Sequence, residues 1–290
     1  MPKQCAIIVN PTSGSYSPKK LQRVIATLES HNYVPELLLT QGPGDAARFA
    51  RRLCTEQEEP LVIAAGGDGT VNGVLNGILP GKAVLAVLPL GTSNVLAREL
   101  GISSLPEAVA RIIRGETRPL PVGLLAKGGV LRYFSLMAGI GLDGAVVEGV
   151  RLREKRIIGK GAYLLAALRH LVNWESGRLH ILAKEGEFDC HSVIVCNAAK
   201  YGGKFLLARQ VDLFTPRFEV ICVSGGSRST YLRLALRLFT GRVVQGAAVS
   251  SFMTERLEIR GDKAIQLDGD FFAHAPVTIS VVPEFVRLIV

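Results

Sequence analysis

The sequence predicts an α/β half followed by a β-rich half. Two observations predict it. Short apolar runs alternate with amphipathic stretches as far as about residue 120, the pattern of a mostly parallel sheet covered on both faces. From Val122 onward the runs become short, β-type and closely spaced between turn residues, which favours an antiparallel sandwich or barrel. The division is read as 1–122, an α/β domain, and 123–290, a β-rich domain. The final residues are open to packing back on the first domain.

In order, Cys5–Val9 is the first strand. Ser17-Pro18 starts a helix with Leu21, Val24, Ile25 and Leu28 on one face. Val34–Leu39 and Leu61–Ala65 read as strands, with a helix between them near Asp45–Leu53. A helix over Thr70–Leu79, a strand at Ala83–Leu88 and helices near Ser93–Leu100 and Leu105–Arg114 complete the half. The second half gives strands at Arg132–Ala138, Arg178–Ala183, His191–Cys196, Phe218–Val223, Ala247–Phe252, Arg256–Ile259, Ala264–Leu267 and Val277–Val282. Helices are expected near Gly159–Val172 and Thr230–Thr240.

Composition narrows the function. The net charge of +9 divides as +2 over residues 1–122 and +7 over 123–290. A basic second half suits an anionic surface. No zinc-finger, helix-turn-helix or aromatic RNP-type signal accompanies it, so no nucleic-acid partner is expected. The five cysteines are odd in number and widely spaced, which reads as buried, reduced thiols rather than a metal or redox site. No basic-then-apolar leader and no uncharged run of about 18 residues is present. The expected location is cytoplasmic, at most peripheral on the inner face of the membrane, and a homodimer is compatible with everything above.

Three glycine-containing turns follow strands in the first half: Asn10-Pro11-Thr12-Ser13-Gly14, Gly66-Gly67-Asp68-Gly69-Thr70 and Leu90-Gly91-Thr92-Ser93-Asn94. In an open parallel sheet all three gather beyond the carboxyl ends of the strands, where ligands bind. Glycines there let backbone N–H groups approach an anion, and each following helix offers its positive end. One such turn alone reads as an ordinary connection; three on one rim read as a phosphate site. No GxxxxGK[ST] element is present, so a P-loop lysine has no part in it.

In order and spacing, Asn10-Pro11-x-Ser13-Gly14, Gly66-Gly67-Asp68-Gly69-Thr70 and Gly91-Thr92-x-Asn94 resemble the diacylglycerol kinase catalytic domain family, which includes bacterial lipid kinases and sphingosine kinases. The resemblance continues through Gly139-Ile140-Gly141-Leu142-Asp143 and Arg156–Leu168 to Asp268-Gly269-Asp270. It implies a Rossmann-like N-terminal α/β domain, a C-terminal β-sandwich and an active site in the cleft between them, using ATP and Mg²⁺ on a lipid hydroxyl at the membrane surface. It also implies that Gly66, Gly67, Asp68, Gly69 and Thr70 hold ATP phosphates, with Asn10, Ser13, Gly14, Thr92 and Asn94 lining the nucleotide site. Asp268 is the expected general base and Asp270 its catalytic neighbour, although Asp268-Gly269 also reads as a hairpin turn. The metal ligands stay unassigned.

Several positions depart from the family pattern. Asp270 stands where glutamate is usual, Gly73 replaces a glutamate, Val95 an aspartate, Ser15 a basic residue and Thr215-Pro216 an Asp-Gly. These losses keep a second reading open, a catalytically silent nucleotide- or lipid-binding regulator. An NAD kinase-like enzyme, which shares Gly-Gly-Asp-Gly, is a third.

Two basic segments are candidates for membrane contact. Tyr231–Phe239 carries Arg233 and Arg237 four residues apart, and the favoured reading is a core helix with a solvated arginine stripe. Arg151, Arg153, Lys155, Arg156 and Lys160 precede an apolar helix at Tyr163–Leu171, read equally as a solvated face or a docking surface.

Overall fold

The computed structural model describes residues 2–150, 177–203, 205–241, 246 and 248–290. The expected helix at Gly159–Val172, the resemblance over Arg156–Leu168 and the basic cluster at 151–160 lie outside the described residues.

The first half alternates as the apolar periodicity requires: β1 (Lys3–Val9), α1 (Pro18–Ser30), β2 (Tyr33–Leu39), α2 (Asp45–Glu56), β3 (Leu61–Gly66), α3 (Asp68–Leu75), β4 (Val84–Pro89), α4 (Val95–Glu99) and α5 (Leu105–Arg114). The four strands pair in parallel in the order β2-β1-β3-β4. β3 and β4 are buried almost throughout, so their continuous apolar runs mark strands covered on both faces. α1 begins with Pro18, whose missing N–H is harmless in a first turn, and buries Leu21, Val24 and Leu28. α5 is capped by the Ser104 side chain and ends at Gly115 in a left-handed conformation.

The second half contains β5 (Thr117–Lys127), β6 (Val130–Phe134), β7 (Met137–Ile140), α6 (Leu142–Glu148), β8 (Leu179–Ala183), β9 (Gly186–Cys190), β10 (Ser192–Cys196), β11 (Lys200–Tyr201), β12 (Phe205–Leu206), β13 (Phe218–Val223), α7 (Arg228–Phe239), β14 (Val249–Thr254), β15 (Arg256–Arg260), β16 (Ala264–Leu267), β17 (Asp270–His274) and β18 (Val277–Ile289). An antiparallel sheet in the order β14-β13-β10-β7-β16-β17 faces the antiparallel part of the larger sheet, built from β5, β6, β18, β15, β8 and β9. Phe134, Ile140, Ile181, Val193, Phe218, Leu257, Ile265 and Ile279 fill the space between them. This is an α/β domain joined to a β-sandwich. All five cysteines are buried and free of disulfides.

Two strands differ informatively from the sequence expectation. The run Arg132–Ala138 is not one strand but two, β6 and β7, in different sheets. The break falls at Ser135–Leu136, where successive backbone N–H groups turn toward one carboxylate, a geometry that an extended strand forbids. β18 is far longer than Val277–Val282. It pairs antiparallel with β5 and β15, and at Arg287–Leu288 it pairs parallel with β4. One continuous sheet therefore joins both halves and fixes the cleft between them.

Candidate active site

The parallel order β2-β1-β3-β4 places the carboxyl ends of β1, β3 and β4 on one rim, and all three glycine turns meet there. Backbone packing is close. A Cβ added to Gly91 would stand 2.3 Å from the Cα of Gly67, and one added to Gly14 would stand 3.0 Å from Thr92 Oγ1. Only glycine lets the second and third turns touch in this way.

Within the turns the roles divide. Asp68 Oδ1 accepts hydrogen bonds from the N–H groups of Val95 (2.6 Å) and Leu96 (3.4 Å), tying the start of α3 to the start of α4. Burial pushes the Asp68 carboxyl above its usual range; the two N–H groups oppose this, and the charge of Asp268 adds to it. Asn94, at φ 47°, accepts from Gly91 N–H and donates to Gly91 O, both at 2.9 Å, closing its own turn. Asn10 Oδ1 accepts from the Thr12 N–H and hydroxyl. Ser13 turns the same loop, its carbonyl accepting from Tyr16 N–H. Thr70 is buried, with its side chain packed over Gly66.

Opposite the rim, β16 and β17 form a hairpin whose two-residue turn is Asp268-Gly269, both at positive φ. The Asp-Gly pair is thus a hairpin turn, as its composition suggests. Its side chain does more. Asp268 Oδ1 accepts from the N–H groups of Leu136 (2.9 Å) and Met137 (3.0 Å). Oδ2 accepts from Ser135 N–H (2.9 Å), Ser135 Oγ (3.2 Å) and Asn72 Nδ2 (2.9 Å). Three successive backbone N–H groups form a concave anion nest, and Asn72 on α3 adds a donor from the other domain. Burial, the largest influence, raises the Asp268 carboxyl, against the lowering effect of these donors.

A carboxylate offers about four acceptor positions, and five donors occupy these. These bonds make Asp268 a clamp between the domains, and Asp268 also lines the cavity between them. Asp270, two residues on, is exposed, and its Oδ2 lies 3.6 Å from where a Cβ on Gly69 would stand.

Between the two halves lies a cavity of about 440 Å³, lined on one side by Asp68, Gly69, Thr92 and Val95 and on the other by Leu136, Met137, Asp143, Val147, Tyr201, Asp268 and Asp270. Of the expected site residues, Asp68, Gly69, Thr92, Asp268 and Asp270 reach its surface. Asn10, Ser13, Gly14, Gly66, Gly67, Thr70 and Asn94 shape the rim around or beneath it. Thr92 also borders a larger groove of about 920 Å³ that runs between α1 and α5 past Lys20, Arg23 and Arg98.

Two groups in the cavity wall, Asp143 and Lys200, and a third behind it, Asn72, carry no role in the sequence reading. Asp143, in the first turn of α6, accepts from Tyr201 Oη and from Gln266 Nε2, the latter at 2.7 Å, and its burial raises its proton affinity. Lys200 lines the cavity, with its Nζ on Arg98 O at 2.6 Å. Asn72 spans the domains through Asp268 and Tyr133 O. Asp143 and Asn72 both sit inside or beside motifs that are visible in the sequence; Lys200 carries no such signal. At Gly73, one of the departures, a Cβ would stand 3.1 Å from the Cβ of Ala46, so a larger residue needs α2 to give by a few tenths of an ångström. Val95 puts an apolar side chain in the cavity wall where the pattern has a carboxylate.

The fold and the site define a class: a two-domain protein whose glycine-rich turns face a carboxylate-bearing hairpin across a cleft. Residues 4–125 match the diacylglycerol kinase catalytic domain, and residues 137–290 match the YegS C-terminal NAD kinase beta sandwich-like domain. The chain belongs to the lipid kinase family that these two domains characterise. It is 29% identical to a diacylglycerol kinase of Bacillus subtilis over 99% of this chain and 94% of that one. It is 26% identical to a diacylglycerol kinase of Mycobacterium tuberculosis over 97% of this chain and 93% of that one. A crystal structure of a diacylglycerol kinase from Bacillus anthracis shares the fold, with a TM-score of 0.78 at 22% identity, covering 99% of this chain and 96% of that one. Family membership implies ATP as the phosphate donor.

Proposed function

We propose that the protein transfers the γ-phosphoryl group of ATP to the hydroxyl of a diacylglycerol-type lipid in the cavity between its domains. The observation that carries this reading is the placement of Asp270 beside Gly69, in a cavity whose other walls include Leu136, Met137 and Val147. A phosphate held at the glycine rim and a hydroxyl held on the apolar side would meet near that carboxylate.

The residues present suit the nucleotide. The touching turns at Gly67 and Gly91 and the close approach of Gly14 to Thr92 leave backbone and small side chains along the rim on either side of Asp68. Mg²⁺ is commonly held by one or two carboxylates together with substrate phosphates, and Asp68 is the carboxylate on the rim that would hold it. When bound, the metal neutralises charge on the transferring phosphoryl group.

The chain's own residues do the rest. Asp270 accepts the proton of the attacking hydroxyl as general base. Asp268 and Asn72 hold the hairpin against α3, so that Asp270 and Gly69 keep their separation. This reading places the base at Asp270, beside Gly69, rather than at Asp268, whose two oxygens accept five hydrogen bonds.

The direct test is phosphate transfer from labelled ATP to diacylglycerol in mixed micelles, with a sphingoid base and NAD as competing acceptors. Label in the lipid fraction supports the reading, and label in NAD alone would replace it with an NAD kinase. The silent-regulator reading draws on Val95, which removes a carboxylate from the wall; ATP binding without transfer to any lipid would favour it.

A further inference from the structure

We propose that the exposed face of α7, with the neighbouring β11–β12 hairpin, docks the cleft on an anionic lipid bilayer. The apolar residues of this helix do not all enter a core. Leu232 and Leu236 are 66% and 64% exposed, and Leu206 on β12, which packs beside α7, is 44% exposed. A protein hides such side chains when it can, so neighbouring exposed leucines mark a contact surface.

The arrangement of charge identifies the occupant. At 100° per residue, Arg228, Leu232, Leu236, Arg233 and Arg237 follow one another across a single face of the helix. The leucines thus lie between arginines, and Arg228, Arg233 and Arg237 are themselves exposed. A face with apolar residues at its centre and guanidinium groups on its flanks suits the boundary between acyl chains and anionic headgroups. Thr230, at the buried side, and Leu238, packed toward Cys196, Leu207 and Ile221, hold the opposite face to the protein.

Two connections tie this surface to the cavity. The β11–β12 hairpin carries Leu206 on one side, while its Lys200, Tyr201 and Gly202 line the cavity. Tyr231 on α7 donates from Oη to Ser192 Oγ at 2.7 Å, and Ser192 Oγ accepts the Leu142 N–H at the start of α6. α6 brings Asp143, Val146 and Val147 to the cavity wall. A bilayer under α7 would therefore lie against the elements that border the acceptor side of the cleft.

The choice of a bilayer as occupant rests on the lipid-kinase reading, but its test does not require turnover. Full-length protein is sedimented with vesicles of phosphatidylcholine alone or mixed with phosphatidylglycerol, at low and high salt. Wild type is expected to bind the anionic vesicles and to be released as salt rises. Leu232→Ser with Leu236→Ser, and separately Arg233→Gln with Arg237→Gln, should each weaken partitioning by about tenfold or more. Both pairs are exposed, so their melting temperatures should match wild type, and that is measured alongside. Equal sedimentation of the leucine pair and wild type would overturn the proposal. So would wild type that ignores both vesicles, or a leucine pair that only converts a dimer to a monomer. Loss of kinase activity without loss of vesicle binding would count against the proposed reaction and leave the docking surface standing.

Discussion

Replacing Asp268 by asparagine should destabilise the protein, because both of its oxygens accept hydrogen bonds in a buried site. Asparagine keeps one oxygen and turns the other into an NH₂ donor. The less costly orientation leaves the Leu136 and Met137 N–H groups facing that NH₂; the other leaves Ser135 and Asn72 unmatched. An orphaned buried donor costs about 1–3 kcal/mol, so two cost about 2–6 kcal/mol, with about 4 kcal/mol as the central figure. For a chain of this size each kcal/mol lowers Tm by about 2 °C, and the expected fall is about 8 °C. Scanning fluorimetry at neutral pH measures it. Relief of the buried charge, which raises the Asp268 carboxyl, offsets part of this fall, so a Tm equal to or above that of wild type is the result that would refute the clamp.

Other consequences follow from the same geometry. Asp270→Asn, at an exposed position, should leave Tm within about 1 °C while kcat for lipid phosphorylation falls about 10²-fold or more; steady-state kinetics and the melt are read on one preparation. Gly91→Ala places a methyl group 2.3 Å from the Gly67 Cα and should cost about 1–3 kcal/mol. It should also reduce the rise in Tm produced by ATP, because it separates two turns of the rim. Asp143 gives a pH test. Burial raises its carboxyl in the folded state, so the folded protein binds that proton more tightly than the unfolded chain does. Its contribution to stability is complete below the ordinary aspartate value of about 3.9 and is lost as pH rises through the raised value. The Tm of Asp143→Asn, relative to wild type, should therefore climb with pH above that point; a difference that falls with rising pH would contradict it.

Much of this was legible in the residues, for reasons that differ from place to place. The parallel half announces itself because β3 and β4 are continuous apolar runs and α1, α2 and α5 keep one apolar face. The gathering of three turns follows from strand direction alone. The single strand expected at Arg132–Ala138 failed because its β-type composition cannot report that Ser135, Leu136 and Met137 donate to an aspartate more than 130 residues away. β18 was cut short at Val282 because its continuation, Pro283 to Ile289, joins a different part of the sheet across a register shift. The donors that converge on Asp268 are illegible for a related reason. A motif shows which carboxylate is present, whereas the number of donors around it depends on the fold. The α7 leucines are the opposite case: the spacing favours a core helix with a solvated arginine stripe, and the exposure of Leu232 and Leu236 is a property of which face meets the protein.

The proposed reaction is lipid phosphorylation in the cavity between the domains with Asp270 as the base. It is tested most directly by following label from γ-labelled ATP into diacylglycerol with wild type and Asp270→Asn side by side, each shown to be folded and to bind ATP. Wild type should give a labelled lipid, and the variant should lose almost all of it. Equal labelling by both would remove Asp270 from the chemistry, and no labelled lipid from an ATP-binding wild type would contradict the assigned reaction.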